Sequence, residues 1–211
     1  MSTYALYLFD LDGTLVNTLP VWNQLTRVFL AEFGITVSKE EIAAMDHMSY
    51  EEGIRHMREV LGVPLSAEEF PARWLATAKK LYEREATLFP HAHETLDRLR
   101  AEGSRLVLFT QSPRALVQDT LELMDLWRRF DDFIFAGERT VEKGAAQAVV
   151  DVADEYGVSL DRTAVVEDAP YAAMAAKEAG VYVYGVGIQN EKREALAQWA
   201  DIVVEDLRAI R

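Results

Sequence analysis

Short apolar runs that stop at polar turn residues alternate along this chain with longer stretches of helical spacing. The apolar runs are Tyr4–Phe9, Arg105–Phe109, Phe133–Phe135, Ala164–Val166 and Tyr182–Val186, with a weaker one at Ile202–Val204. Between them lie His91–Ala101, Pro113–Met124, Lys143–Tyr156 and Tyr171–Ala179, which read as helices. Strands separated by helices predict a parallel sheet covered on both faces. Gly103, Gly157 and Gly180 come just after three of the helical stretches, where a left-handed cap takes glycine.

One interval breaks the alternation. Between Val16 and Leu88 no strand is evident, and helical spacing recurs in Trp22–Phe33, Tyr50–Leu61 and Glu68–Ala86. Ser38 ahead of Glu41, and Ser66 ahead of Glu69, both fit a capping box. Phe89-Pro90 then interrupts the pattern. The expected organisation is a core of residues 1–15 and 89–211 with a helical cap domain, 16–88, inserted after the first strand. The alternative is a helical layer packed directly on the sheet, but the interval is far longer than one crossover needs.

The chain has 211 residues, half of them hydrophobic, enough for a sizeable core. It has no cysteine, which excludes a disulfide frame, a thiolate metal site and a cysteine nucleophile. Neither a signal-peptide pattern nor an apolar stretch of membrane-spanning length is evident, so the default expectation is a cytoplasmic protein without a membrane partner. A net charge of −13 argues against a nucleic-acid partner. It leaves room for an anionic substrate, because a bound divalent ion and a few local cations reverse the field inside one pocket. Nothing in the pattern separates a monomer from a homodimer.

The most informative run is Leu8-Phe-Asp-Leu-Asp-Gly-Thr-Leu-Val16. The first strand ends abruptly in Asp10 and Asp12, with Gly13 and Thr14 directly after them. Two acids at a strand end are costly unless something neutralises them, and a hard divalent cation does so well. The plainer reading is a solvated Asp-Gly turn. Ligands in open parallel sheets sit beyond the carboxyl ends of the strands, so the other strand ends bear on the choice. Arg105–Phe109 leads into Thr110-Gln-Ser112-Pro-Arg114, and Ala164–Val166 into Glu167-Asp168. Lys143 is expected to open the helix between them. Acids, a hydroxyl and a lysine at four such places favour a site over a turn.

These residues suit a phosphoryl substrate. Asp10 is the nucleophile, giving an aspartyl-phosphate. Mg²⁺ is held by Asp10, the backbone carbonyl of Asp12 and the carboxylate of Asp168, with Glu167 in support. Asp12 protonates the leaving oxygen and then activates water. Thr110 bonds a phosphoryl oxygen and Lys143 neutralises charge on phosphate and Asp10. Ser112 and Arg114 are candidate substrate contacts. Each has a structural alternative: Thr110 as a turn residue, Lys143 as an exposed helix-start lysine, and Glu167-Asp168 as a helix cap. His47, His56, His91 and His93 show no metal-ligand spacing tied to a strand end and receive no catalytic role.

These residues together resemble the haloacid dehalogenase superfamily, in its phosphatase-type members with a small helical cap. The first motif of that family is intact as Asp10-Leu11-Asp12-Gly13-Thr14, and Thr110, Lys143 and Glu167-Asp168 match the other three in order and spacing. The resemblance covers essentially the whole chain. It implies an α/β fold: a Rossmann-like three-layer core with a parallel sheet, plus an inserted α-helical cap domain. It also implies a Mg²⁺-dependent phosphatase acting on a small phosphorylated metabolite, such as a sugar phosphate, phosphoglycolate or a nucleotide. A phosphomutase of the β-phosphoglucomutase type is the alternative enzyme, and a noncatalytic binding module is the alternative from another class. In relatives with this cap, a loop between the first helical segments reaches the leaving group. The matching stretch, Met45 to Ser49, offers Asp46, His47 and Ser49 as substrate contacts, or an ordinary turn in which Ser49 caps a helix with Glu52. Trp22 and Trp74 are expected to pack within the cap.

Two motifs depart from the family pattern. The third motif reads Lys143-Gly144 where relatives often have Lys-Pro. Ala169 and Tyr171 stand where many have Ser or Thr, then Gly or Asp. Asp12 is present, which disfavours the dehalogenase chemistry that names the family.

Overall fold

A computed structural model describes residues 4–45, 48, 50–188 and 193–211. The chain divides into two compact units, Met1–Asn17 with Thr87–Arg211, and Thr18–Ala86. The larger unit is built on β1 (Leu6–Phe9), whose four residues are all buried to 1 % exposure or less. After the smaller unit it continues through α5 (Ala92–Ala101), β4 (Arg105–Phe109), α6 (Arg114–Leu123), β5 (Asp132–Ile134), α7 (Ala146–Glu155), β6 (Thr163–Glu167), α8 (Pro170–Ala179), β7 (Tyr182–Val186), α9 (Arg193–Leu196) and β8 (Ile202–Val204). A two-residue antiparallel ladder, β2 (Val16–Asn17) with β3 (Thr87–Leu88), closes the two crossings between the units. This ladder escapes sequence reading because neither piece is an apolar run.

The six long strands form one parallel sheet in the order β5-β4-β1-β6-β7-β8. The chain moves outward from β1 on one side through β4 and β5, then returns to the other side through β6, β7 and β8. The order therefore reverses at β1, where a ligand crevice opens at the carboxyl ends of such sheets. Adjacent pairing puts Phe9 level with Leu108 of β4 and Val166 of β6, so the segments that leave these three strands converge at one place.

The pleat sends alternate side chains of β1 to opposite layers. Leu6 and Leu8 join Val107, Phe109, Val165 and Val183 in a core covered by Val149 and Val152 of α7 and Ala173 and Ala176 of α8. Tyr7 and Phe9 join the other layer, where their rings lie 6.0 Å apart and Phe9 meets Phe130 edge-on at 6.1 Å. Each such buried side chain contributes about 1.5–3 kcal/mol, which holds the costly acids after β1 in place.

The smaller unit carries α1 (Leu19–Ala31), α2 (Lys39–Met45), α3 (Tyr50–Glu59) and α4 (Glu69–Glu85). Phe29, Phe70 and Trp74 form its aromatic centre, with Phe29 4.9 Å from each of the other two rings. Both expected capping boxes are formed. Ser38 N donates to Glu41 Oε2 at 2.9 Å and Glu41 N to Ser38 Oγ at 3.1 Å, and Ser66 and Glu69 repeat both distances. Trp22 is a correction: it is 43 % exposed rather than packed, its indole N–H donating to Thr18 Oγ1. Among the described residues, no helix is long and apolar enough to cross a membrane.

Candidate active site

Asp10 leaves β1 with its N–H bonded to Val166 O at 2.9 Å, an extension of the ladder that fixes its backbone. Its side chain is buried to 6 % exposure. Lys143 Nζ donates to Asp10 Oδ1 at 2.6 Å, while Oδ2 is buried with no hydrogen-bond partner among the described residues. The same ammonium lies 2.6 Å from Glu167 Oε2. Lys143 is itself buried to 5 % exposure, so one cation is sandwiched between two carboxylates away from water. Burial opposes its charge, yet Asp10 first and Glu167 next outweigh burial and hold its pKa above the ordinary lysine value.

The position of Lys143 corrects the sequence reading. It does not open a helix. It sits in a turn, and α7 begins only at Ala146, because Ala145 is extended at φ −109° and ψ 136°. The turn points the ammonium inward, under the ring of Phe109, whose centroid is 5.7 Å away. Thr110 and Lys143 line a common cleft at the ends of β4 and β5.

Glu167 ends β6 and acts on two sides. Its Oε1 accepts from Asp168 N at 3.0 Å and Ala169 N at 2.9 Å, which orders the turn into α8. Its other oxygen faces Lys143. Burial first, and the charge of Asp10 second, push its carboxyl well above the usual carboxylate range, with Lys143 pulling the other way. Asp10, Glu167 and Asp168 each offer an oxygen, all within 4.8 Å of one another. Asp10 and Glu167 share the single ammonium of Lys143 in a nearly dry place. The orphaned Asp10 Oδ2 and this oxygen-only donor set fit a hard divalent cation.

Gly13 makes that cluster possible. Its φ is +85°, and a Cβ there would stand 2.3 Å from Asp168 Oδ2. Only glycine combines the left-handed turn with so close an approach of Asp168.

Asp12, two residues after Asp10, belongs to a second group. Ser112 Oγ donates to Asp12 Oδ2 at 2.5 Å, and Ser112 N donates to Thr110 Oγ1 at 3.0 Å. The segment after β4 thereby holds Asp12 and Thr110 together through one serine. The sequence points to Ser112 as a substrate contact; its hydroxyl is instead engaged with Asp12. Arg114 is likewise engaged elsewhere. It makes a two-pronged bond to Glu138 at 2.7 and 3.1 Å and stacks over Phe135 at 4.2 Å. Asp46, His47 and Ser49 lie outside the described residues.

Two histidines are accounted for structurally. His91 takes the left-handed position ahead of α5 and pairs with Glu94, and His93 Nε2 lies 2.7 Å from Met124 O, at the end of α6. Roles that the sequence did not show are Gly13 as a steric necessity, Glu167 as the second partner of Lys143, and the buried hydroxyl of Thr14, which has no partner among the described residues.

Comparison with known proteins bears on the family and the fold. Residues 7–186 match the family described as Haloacid dehalogenase-like hydrolase. The chain is 25 % identical over 180 residues to the phosphorylated carbohydrates phosphatase of Thermotoga maritima, covering 85 % of this chain and 83 % of that protein. It is 28 % identical over 219 residues to the phosphoglycolate phosphatase of Salmonella paratyphi A, covering 94 % and 87 %. A Thermotoga maritima crystal structure, provisionally described as a β-phosphoglucomutase, has a TM-score of 0.85 at 24 % identity over 98 % of this chain and 96 % of that one. This last likeness speaks for the fold.

Proposed function

Since the chain belongs to the haloacid dehalogenase-like hydrolases, we propose that it is a Mg²⁺-dependent phosphatase of small phosphate monoesters, working through a phosphorylated Asp10. The observation that carries the reading is the state of Asp10: buried, with one oxygen held by Lys143 and the other unpartnered among the described residues. A carboxylate in that state is a poised nucleophile rather than a solvated turn residue.

Asp10 attacks phosphorus, the bond from phosphorus to the ester oxygen breaks, and Asp12 gives its proton to the departing oxygen. Water then attacks the acyl phosphate, its proton passes to Asp12, and phosphate leaves with Asp10 restored. Ser112 holds the Asp12 carboxylate in one orientation through both steps. Lys143 holds one oxygen of Asp10 and offers positive charge to the phosphoryl oxygens, with Thr110 as a further donor. Asp10, Asp168 and Glu167, with the carbonyl of Asp12, would hold Mg²⁺. A divalent cation bound there shields the nucleophile from the anionic substrate and stabilises charge on the phosphoryl group. Relatives named for phosphorylated carbohydrates and phosphoglycolate support a small phosphorylated metabolite as the substrate.

The test is hydrolysis of p-nitrophenyl phosphate with and without Mg²⁺, and then a panel of phosphorylated metabolites scored for released phosphate. Metal-dependent release by the wild type, abolished in a folded Asp10→Asn variant, supports the reading. No release by folded wild type refutes it, and isomer exchange of a sugar monophosphate without net release would make the protein a phosphomutase.

A further inference from the structure

Two of the departures from the family pattern pack on each other. Gly144 comes directly after Lys143, and Tyr171 stands in the first turn of α8. A Cβ on Gly144 would meet the Tyr171 ring at 3.2 Å from Cδ2 and 3.3 Å from Cε2. The ring therefore lies against the bare backbone of Gly144, and a Cβ there would have to shift it by a few tenths of an ångström. The ring is nonetheless half exposed. Its hydroxyl takes part in none of the bonds that tie Asp10, Asp12, Ser112, Lys143 and Glu167 together.

Several of the donors around the site are already engaged. Lys143 already serves two carboxylates, the Ser112 hydroxyl serves Asp12, and Arg114 serves Glu138. From the half-exposed Tyr171 ring beside Lys143 we infer that its hydroxyl is a further donor to the phosphate group of the substrate, seated by Gly144; the inference rests on the phosphatase reading above. Burial raises the pKa of this phenol, with Lys143 pulling it down and the nearby carboxylates of Glu167, Asp10 and Asp168 adding to the rise, so it stays protonated and can donate. A neutral donor suits the place, because it adds a bond to phosphate without a second cation to displace a metal.

The experiment compares wild type with Tyr171→Phe, which keeps the ring on Gly144 and deletes only the hydroxyl. With saturating Mg²⁺, KM for p-nitrophenyl phosphate and the inhibition constant of inorganic phosphate are expected to rise together, each by about tenfold, with kcat changed far less. A KM and inhibition constant within twofold of wild type would overturn the inference, as would a rise in KM alone, which places the hydroxyl on the leaving group. Gly144→Ala should weaken phosphate binding in the wild type and do nothing in Tyr171→Ala; an equal effect in both backgrounds would show that Gly144 does not seat the ring. Should the wild type not turn over, the phosphatase reading fails separately. Calorimetric titration of wild type and Tyr171→Phe with inorganic phosphate in Mg²⁺ then decides the hydroxyl's role, equal affinities overturning it.

Discussion

The carboxylate of Asp168 occupies the space that a side chain on Gly13 would need. The Cβ position is 2.3 Å from Asp168 Oδ2, and Gly13 has φ +85°. Gly13→Ala must therefore both strain the turn after Asp10 and push Asp168 out of the cluster. Because displacements of about 1 Å at such a site cost on the order of a hundredfold in rate, kcat should fall about that far. Steady-state kinetics with circular dichroism checks the loss against unfolding.

Mg²⁺ should stabilise the protein measurably. Asp10, Glu167 and Asp168 each bring an oxygen within 4.8 Å of the others, and a ligand at a hundred times its Kd adds about 2.7 kcal/mol to the folded state. Thermal denaturation in EDTA and in excess Mg²⁺ should show a clear rise in Tm for the wild type. Asp168→Asn should lose most of that rise.

Ser112→Ala should reveal the acid role of Asp12 through leaving-group dependence. Without the bond from Ser112 Oγ, Asp12 loses its fixed orientation. Rates for alkyl phosphates, which need a proton on the departing oxygen, should fall by about tenfold or more. Rates for p-nitrophenyl phosphate should fall less, because its leaving group needs no proton and only the hydrolysis step, which Asp12 serves for every substrate, is affected. Parallel kinetics on both substrate types checks this.

The pair of Arg114 and Glu138 should give a small, pH-dependent contribution to stability. The Arg114 guanidinium holds the Glu138 carboxyl below the usual carboxylate range. A lowered carboxyl stabilises the fold above its unfolded pKa, and the effect is lost as pH falls through the folded value. Both side chains are more than a third exposed, so the effect should stay within about 1 kcal/mol. Glu138→Gln should be slightly less stable than wild type in urea at neutral pH. The two should converge in acid.

What the sequence made legible was local. β7 and β8 have the bounds that their apolar runs predict, and both capping boxes form because their partners lie three residues apart. Asp10 and Asp12 were legible because a buried strand cannot end in two acids without a reason. What stayed hidden depends on contacts across long sequence distances. Lys143 reads as a helix start by its neighbours, yet its conformation answers to Asp10, 133 residues away, and to Glu167. Arg114 reads as a free cation near the site, and only the folded chain brings Glu138 to it. Gly13 reads as a turn glycine, while its second constraint comes from Asp168.

The central claim is that Asp10 carries the phosphoryl group. Acid quenching of turnover with a ³²P-labelled phosphate monoester, and then peptide mapping, tests it most directly. A base-labile label on the peptide containing Asp10, absent from Asp10→Asn, is the predicted result. Turnover by a folded Asp10→Asn variant, or a label trapped on another residue, would contradict it.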